Sequence, residues 1–103
     1  MALGNAFKWT HLTGAGTTTI LSGIGATQGG AGAPANVGLY GGVTVNTAGT
    51  TVTVYDSATG SGTVLAVIGA VTGSFEPPTP GAQLTTGLTV VIAGAADVTV
   101  YWQ

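Results

Sequence analysis

The sequence contains no cysteine and no arginine, and only four of its 103 residues carry a charge at neutral pH: Lys8, Asp56, Glu76 and Asp97. Without cysteine, neither a disulfide nor a thiolate metal site can form. A single lysine cannot neutralise a run of phosphates, so we expect no electrostatic binding to nucleic acid. The same shortage of cations argues against an anionic membrane surface as a partner.

Side chains that perform catalysis are equally scarce. His11 is the only histidine, and the three carboxylates are spread over some forty residues of chain. A zinc site needs three or four ligands, and hydrolysis by paired carboxylates needs two of them a fixed distance apart. We therefore expect no metal, no cofactor and no enzymatic activity.

The few titratable residues have simpler interpretations. The sequence predicts that His11 lies at the end of a strand and has a packing or hydrogen-bonding role. Asp56 begins "DSATGSG", where its side chain can accept from backbone N–H groups two residues on and hold the turn. We interpret Asp97 as a second turn residue, and Glu76 as solvated or bound to a neighbouring subunit.

Low charge also has a consequence for the surface. The formal net charge is only −2, and threonine, which occurs nineteen times, is the main polar residue. A free monomer normally depends on charge to stay soluble and apart from its neighbours. We infer that much of this surface contacts other proteins.

Hydrophobic residues alternate with a period of two, which predicts an all-β fold without significant helix. Turn signals about every 8 to 12 residues favour a single compact β-sandwich, jelly-roll or immunoglobulin-like, of seven or eight antiparallel strands over residues 1–103. The weaker strand candidates are "FKWTHL" and "TTTIL" at the front of the chain. The first twelve residues lack a basic region and an apolar run, so we do not expect them to form a secretory signal.

Individual strands carry more detailed predictions. "VGLYGGVTV" places Val37, Leu39, Val43 and Val45 on one face, with Tyr40 and Thr44 on the other. "TVTVYDSATGSGTVLAVI" predicts a hairpin whose second strand, Val64 to Ile68, is apolar on both faces and hence central or at an interface. "GLTVVI" and "DVTVYW" predict another hairpin, closed by the turn "AGAAD".

Two segments interrupt the strand pattern. Gly25 to Asn36 predicts a long flexible loop, since its glycines neither pair nor pack well. The overlapping stretch "GIGATQGG" comes near the glycine-rich dinucleotide-binding pattern. Such a site requires a helix directly after the glycines, and no helix is predicted there. Phe75 to Gly81 contains three prolines and predicts a stiff, extended connector.

Aromatic side chains are the remaining candidates for a binding site. Large amphipathic rings anchor both protein interfaces and sugar platforms, although they also fill cores. The candidate interface residues are Trp9, Tyr40, Phe75, Tyr101 and Trp102.

Three stretches resemble a known family: "FKWTHLTGAGTTTILSG", "VTVNTAGTTVTVYDSATGSGTVLAVI" and "TTGLTVVIAGAADVTVYWQ". They are similar to small virion proteins of tailed bacteriophages, compact β-sandwiches found among capsid, head-decoration and tail components. The resemblance spans nearly the whole chain, and its motifs are strand and turn patterns rather than catalytic signatures.

The resemblance implies a non-enzymatic capsid decoration or cement protein that is made in the host cytoplasm and stabilises the assembled head in the virion. Its expected partner is the major capsid protein, and we expect a homo-oligomer, with a trimer implied by the three-fold positions that such proteins often occupy. The alternative is a tail or fibre module that recognises host-surface carbohydrate, with Trp9, Tyr40 or Trp102 as a stacking platform.

Overall fold

The computed structural model describes residues 7–23, 38–77 and 82–103. Within these ranges the chain forms nine β-strands and no helix, so no helix there could cross a membrane. The strands are β1 (Lys8–Thr13), β2 (Gly16–Leu21), β3 (Leu39–Thr47), β4 (Thr51–Asp56), β5 (Thr63–Ile68), β6 (Gly73–Phe75), β7 (Ala82–Gln83), β8 (Leu88–Ala93) and β9 (Asp97–Trp102). The predicted all-β sandwich of antiparallel strands is confirmed.

Strand pairing follows a nested order. β1 pairs with β9, β2 with β8, and β4 with β5, while β6 and β7 lie end to end along the same edge of β3. Sheet A has the order β1-β9-β3-β6, and sheet B has the order β2-β8-β4-β5. Such an order arises when one long antiparallel hairpin wraps into two facing sheets. The fold is therefore a jelly roll with eight strand positions.

The core lies between the two sheets and consists mainly of valines at alternate positions. β-branched side chains suit this arrangement because they pack well on a pleated surface. Val54, Val90, Val98 and Val100 have no exposed surface. Buried faces are shared by Val52 and Val54 on β4, by Leu88, Val90 and Ile92 on β8, and by Val98 and Val100 on β9.

One of the two predicted hairpins exists. β4 and β5 pair antiparallel around the turn at residues 57–62, as expected. The prediction that β8 and β9 form a hairpin is wrong, because β8 belongs to sheet B and β9 to sheet A. The "AGAAD" turn instead carries the chain across the sandwich. Short Gly-rich turns permit either path, and the choice depends on which sheet offers a partner.

β5 is an edge strand, so the prediction that it could be central is wrong. A β-bulge between Val54 and Tyr55 alters its alternation, and Leu65 is partly packed against the core. Val64 and Val67 are exposed, while Ile68 is buried against β4. One side of the strand packs against the core, and its other side exposes apolar residues at the surface.

β3 also contains a bulge, between Tyr40 and Gly42. The extra residue reverses the alternation, and Tyr40 therefore faces the core together with Val43 and Val45. The prediction that Tyr40 lies on the face opposite to these valines is wrong for this reason. Val37, the predicted loop Gly25 to Asn36 and the end of the proline-rich connector lie outside the described residues.

Candidate functional site

The outer face of sheet A carries the largest group of exposed aromatic side chains among the described residues. Trp9 of β1 is paired in register with Tyr101 of β9, and Tyr101 is paired in register with Gly42 of β3. One row further along, Thr99 of β9 is paired with Thr44 of β3. An aromatic row therefore lies beside a row of hydroxyl groups.

A groove of about 310 Å³ opens on this face. That volume is at the lower end of the roughly 300–1,000 Å³ typical of small-molecule sites. Its lining includes Phe7, Gly41, Gly42, Thr44, Glu76 and Tyr101. Ser74 and Phe75 of β6 also line it, although the Phe75 side chain packs against the core. The groove thus combines the rings of Phe7 and Tyr101 with one carboxylate and the hydroxyls of Thr44 and Ser74, and we call it the sheet A groove.

Two glycines shape this groove by leaving room for their neighbours. A Cβ atom added to Gly41 would lie 2.6 Å from Cε1 of Phe7, so the Phe7 ring occupies the space above Gly41. Gly42 has a φ of +128° and its added Cβ would lie 2.7 Å from the Phe75 carbonyl oxygen. Glu76 also lies here, with its Cγ atom 3.4 Å from the same added Cβ. Phe7 and Glu76 therefore approach the β3 backbone closely because no side chain intervenes.

The carboxylate of Glu76 differs from the other charged groups of the protein. It has no hydrogen bond or ion pair within the described ranges, whereas the other two carboxylates accept hydrogen bonds. The only lysine, Lys8, places its Nζ atom 5.1 Å from the centroid of the Trp102 ring. Lys8 and Trp102 are cross-strand partners on the face of sheet A opposite to the groove. Among the described residues, therefore, no cationic side chain neutralises Glu76.

The five aromatic residues predicted to form an interface occupy three different environments. Trp9 is 66% exposed and Tyr101 is half-buried, and these two are neighbours on the outer face. Phe75 and Trp102 are partly buried against the core. Tyr40 is only 2% exposed, and burial raises the pKa of its hydroxyl to about 12. The fold places Trp9 and Tyr101 side by side on the outer face, whereas the side chains of the other three pack in or against the core.

Trp102 is held from two sides. Its indole Nε1 donates to the Thr10 hydroxyl at 2.9 Å, and the Lys8 ammonium lies over its ring. A satisfied indole N–H and a cation on one ring face leave little of this side chain for a ligand. Trp102 is therefore a structural residue of β9 within the described chain.

His11 lies inside β1 rather than at its end, and it is hydrogen-bonded as expected. Its Nε2 atom is 2.7 Å from Oδ1 of Asp97, and the Asn46 amide donates to the same oxygen at 3.1 Å. The hydrogen bond with His11, which has the larger effect, and that from Asn46 both lower the pKa of the Asp97 carboxyl. Asp97 is the first residue of β9, and a bulge in β3 places Asn46 beside it.

A histidine–aspartate pair also occurs in hydrolases, where the histidine activates a nucleophile. No hydroxyl is hydrogen-bonded to the His11 ring in the part of the chain that the structure describes. Nor do three His, Asp or Glu side chains gather there into a possible metal site. The arrangement links β1, β9 and β3 and so stabilises sheet A.

Asp56 makes the most extensive polar contact, but not the predicted one. Its carboxylate accepts hydrogen bonds from the backbone N–H groups of Thr85, Thr86 and Gly87 and from the Thr85 hydroxyl. Burial alone would raise the pKa of this carboxyl, and the hydrogen bonds together lower it. The turn after β4 is instead held by Ser57, whose hydroxyl accepts from the N–H of Thr59 at 3.0 Å. Asp56 thus fixes the segment before β8 rather than its own turn.

Comparisons of the chain with models of protein families, with curated proteins and with solved structures found no match.

The groove includes residues that the sequence analysis did not select. Phe7 and the glycine pair in β3 were both overlooked. A signal was present, because glycine inside a strand often marks a place where another group approaches the backbone. The identity of the approaching groups could not be predicted, since β1 and β6 are far from β3 in sequence.

Proposed function

We propose that this chain is a non-enzymatic structural protein of a bacteriophage particle, most specifically a decoration protein that stabilises the assembled head. The observation that carries the proposal is the scarcity of charged side chains and their placement in the fold. Lys8, Asp56 and Asp97 each contact another group of the fold, which leaves Glu76 as the one charged side chain without such a contact among the described residues. A surface with so little charge suits a protein that is covered by neighbours.

The exposed apolar side chains support the same proposal. Trp9 is 66% exposed, and Val64, Val67 and Val71 are each about half exposed or more. Such residues are ordinary when scattered, but here the chain offers few charges to separate them. Val64 and Val67 lie on β5, an edge strand of sheet B that pairs with no strand other than β4 in the described part of the chain, and an edge of this kind can pair with a neighbouring chain.

The proposed mechanism uses buried area rather than chemistry. A rigid sandwich lays its Thr-rich and apolar outer faces across adjacent subunits of the major capsid protein. A stable contact of this kind buries on the order of 1,200–2,000 Å² in total. Assembly of the chain as a trimer would multiply that contact and increase the avidity for the shell. The sequence resemblance to small virion proteins supports this reading independently of the surface.

Particle binding tests this function directly. Purified protein is mixed with empty heads of the phage that encodes it, and binding is followed by sedimentation and by the thermal stability of the shells. We expect saturable binding and a higher melting temperature of the shell. Quantitative mass spectrometry of purified particles should give a copy number that scales with the capsid subunits. Absence of binding, or a copy number that fits a single tail ring, would contradict the proposal.

The second candidate function is recognition of host-surface carbohydrate by a tail or fibre module. The exposed Trp9 ring beside Tyr101 favours it, because flat aromatic rings on a sheet face can stack on sugars. Binding to host glycans without affinity for capsids would select this function. Tyr40 and Trp102 no longer support it, since one is buried and the other is occupied by Thr10 and Lys8.

A further inference from the structure

We propose that the sheet A groove receives an arginine side chain from a different protein of the particle. This inference rests on the proposed role as a structural protein, and it names the surface through which the chain would dock. The groove brings together the rings of Phe7 and Tyr101 with the carboxylate of Glu76 around the glycine pair of β3.

Charge complementarity identifies the ligand as a cation. Glu76 is the only charged residue that lines the groove, and it has no partner within the described ranges. An anion would be repelled by this carboxylate, and neither lysine nor arginine lies on this face within the described ranges to offset that repulsion. A cation would instead gain a charge-assisted hydrogen bond that the free protein lacks.

The aromatic rings favour a guanidinium group over an ammonium group. The guanidinium is planar, stacks on aromatic faces and presents a fork of N–H donors that matches a carboxylate. Phe7 lies over Gly41, Glu76 lies over Gly42, and Tyr101 is the cross-strand neighbour of Gly42. The two rings and the carboxylate therefore lie around one short stretch of β3.

The partner cannot be a second copy of this chain. The sequence contains no arginine, and its single lysine is seated over Trp102 on the opposite face of sheet A. A homo-oligomer therefore has no guanidinium to place in the groove. The geometry assigns this surface to a hetero contact, whereas β5, an uncharged edge strand of sheet B, suits contacts between copies.

A pair of small probes isolates the charge. N-acetyl-arginine amide and N-acetyl-citrulline amide have nearly the same shape, but only the first is charged. Each is titrated at constant ionic strength into the protein labelled with ¹⁵N, and amide shifts are followed by NMR. We expect saturable shifts at Gly41, Gly42 and Glu76, with the arginine probe binding at least about fivefold more tightly than the citrulline probe, as a charge-assisted hydrogen bond provides.

Variants then test the individual groups. Glu76→Gln should reduce the affinity for the arginine probe to that for citrulline, and Tyr101→Leu should weaken both probes. Asp97→Asn removes a carboxylate from the other end of the same face and should leave both affinities unchanged. Trp9→Leu removes a neighbouring ring that does not line the groove and is the matched aromatic control. Thermal melts confirm that each variant is folded.

Several results would overturn the assignment. These are equal binding of the two probes, an unchanged arginine affinity in Glu76→Gln, shifts that do not localise to the groove, or binding of a neutral methyl glycoside there in place of arginine. The proposed function is tested separately from the groove. If wild-type protein and the Glu76→Gln variant bind capsids equally well, the groove is not part of the docking surface and the structural role stands.

Discussion

Replacement of Asp56 by asparagine tests the strongest polar contact in the fold. The carboxylate is 8% exposed and accepts hydrogen bonds from the N–H groups of Thr85 at 2.9 Å, Thr86 at 2.8 Å and Gly87 at 3.2 Å. The Thr85 hydroxyl adds a fourth hydrogen bond at 2.7 Å. Asparagine has nearly the same shape but presents an NH₂ group where one of the two accepting oxygens stands, and it carries no charge.

The expected loss follows from these contacts. The amide oxygen can still accept from Thr86 and Gly87, but the NH₂ group then faces the donors of Thr85. A hydrogen bond to a charged group contributes about 1.5–3 kcal/mol, and a neutral one about 0.5–1.5 kcal/mol. Thr85 and Thr86 are exposed, so water replaces part of what is lost. We expect a decrease in the free energy of unfolding of about 2–3 kcal/mol, or roughly 10–20 °C in Tm.

The pH dependence gives the expected loss a second signature. The pKa of the Asp56 carboxyl is lower in the folded protein than its ordinary value, so the folded state favours the ionised form. This contribution is fully present above the unfolded pKa, near about 4, and is lost as the pH falls through the folded pKa. The difference between wild type and Asp56→Asn should therefore narrow below about pH 4. Asp97 titrates in both proteins and cancels from that difference.

Urea unfolding, followed by tryptophan fluorescence at neutral and acidic pH, measures both quantities. The dependence of the free energy on urea should be the same for both proteins, since the same surface is exposed on unfolding. The control is the conservative variant Asp97→Asn. The Asp97 carboxylate is more exposed than that of Asp56, so this variant should be less destabilised. A neutral-pH difference below about 0.5 kcal/mol, or one that stays constant as the pH falls, would refute this account of Asp56.

Three further substitutions probe the groove, the turn and the core, each by thermal or urea unfolding. Gly42→Ala forces a Cβ into a backbone with φ +128° and against a carbonyl of β6, and it should cost about 2–3 kcal/mol; a neutral result would show that β3 relaxes easily. Thr89→Val removes a buried hydroxyl that donates to the Ser57 carbonyl at 2.8 Å, and a loss of about 1–2 kcal/mol is expected, whereas unchanged stability would mean that water replaces it. Val54→Ala should cost about 2 kcal/mol because its side chain is fully buried, while Val67→Ala, 63% exposed, should cost less than about 0.5 kcal/mol; equal losses would contradict the assigned burial.

Local pattern was enough to predict strands and the one hairpin that closes on itself. In β4 the valines alternate, β5 is a short run of apolar residues, and the short turn between them brings the two strands together, so all the information lies within eighteen residues. The same reasoning failed for β8 and β9. Their sequences read as a hairpin equally well, but each strand finds a better partner elsewhere, β8 beside β4 and β9 beside β3.

Bulges limited the prediction of which side chains face the core. One extra residue in β3 turns Tyr40 inward, and one in β5 changes the face of the residues near Val64. A bulge inserts an unpaired residue opposite a partner strand that is distant in sequence, and the pattern of one strand alone does not reveal it. Tyr40, which was a candidate for a binding surface as a large aromatic residue, is therefore a core residue in the fold.

The sequence by itself determined the fold class, because alternation and turn chemistry act over a few residues, and it determined the scarcity of charge, which is a matter of composition. Only the tertiary structure decided the jelly-roll order, the hydrogen bonds that Asp56 accepts from the segment before β8, and the sheet A groove. Each of these brings together residues that are distant in the sequence. Their proximity depends on how two sheets share one core, and that arrangement is fixed by packing among all the strands together.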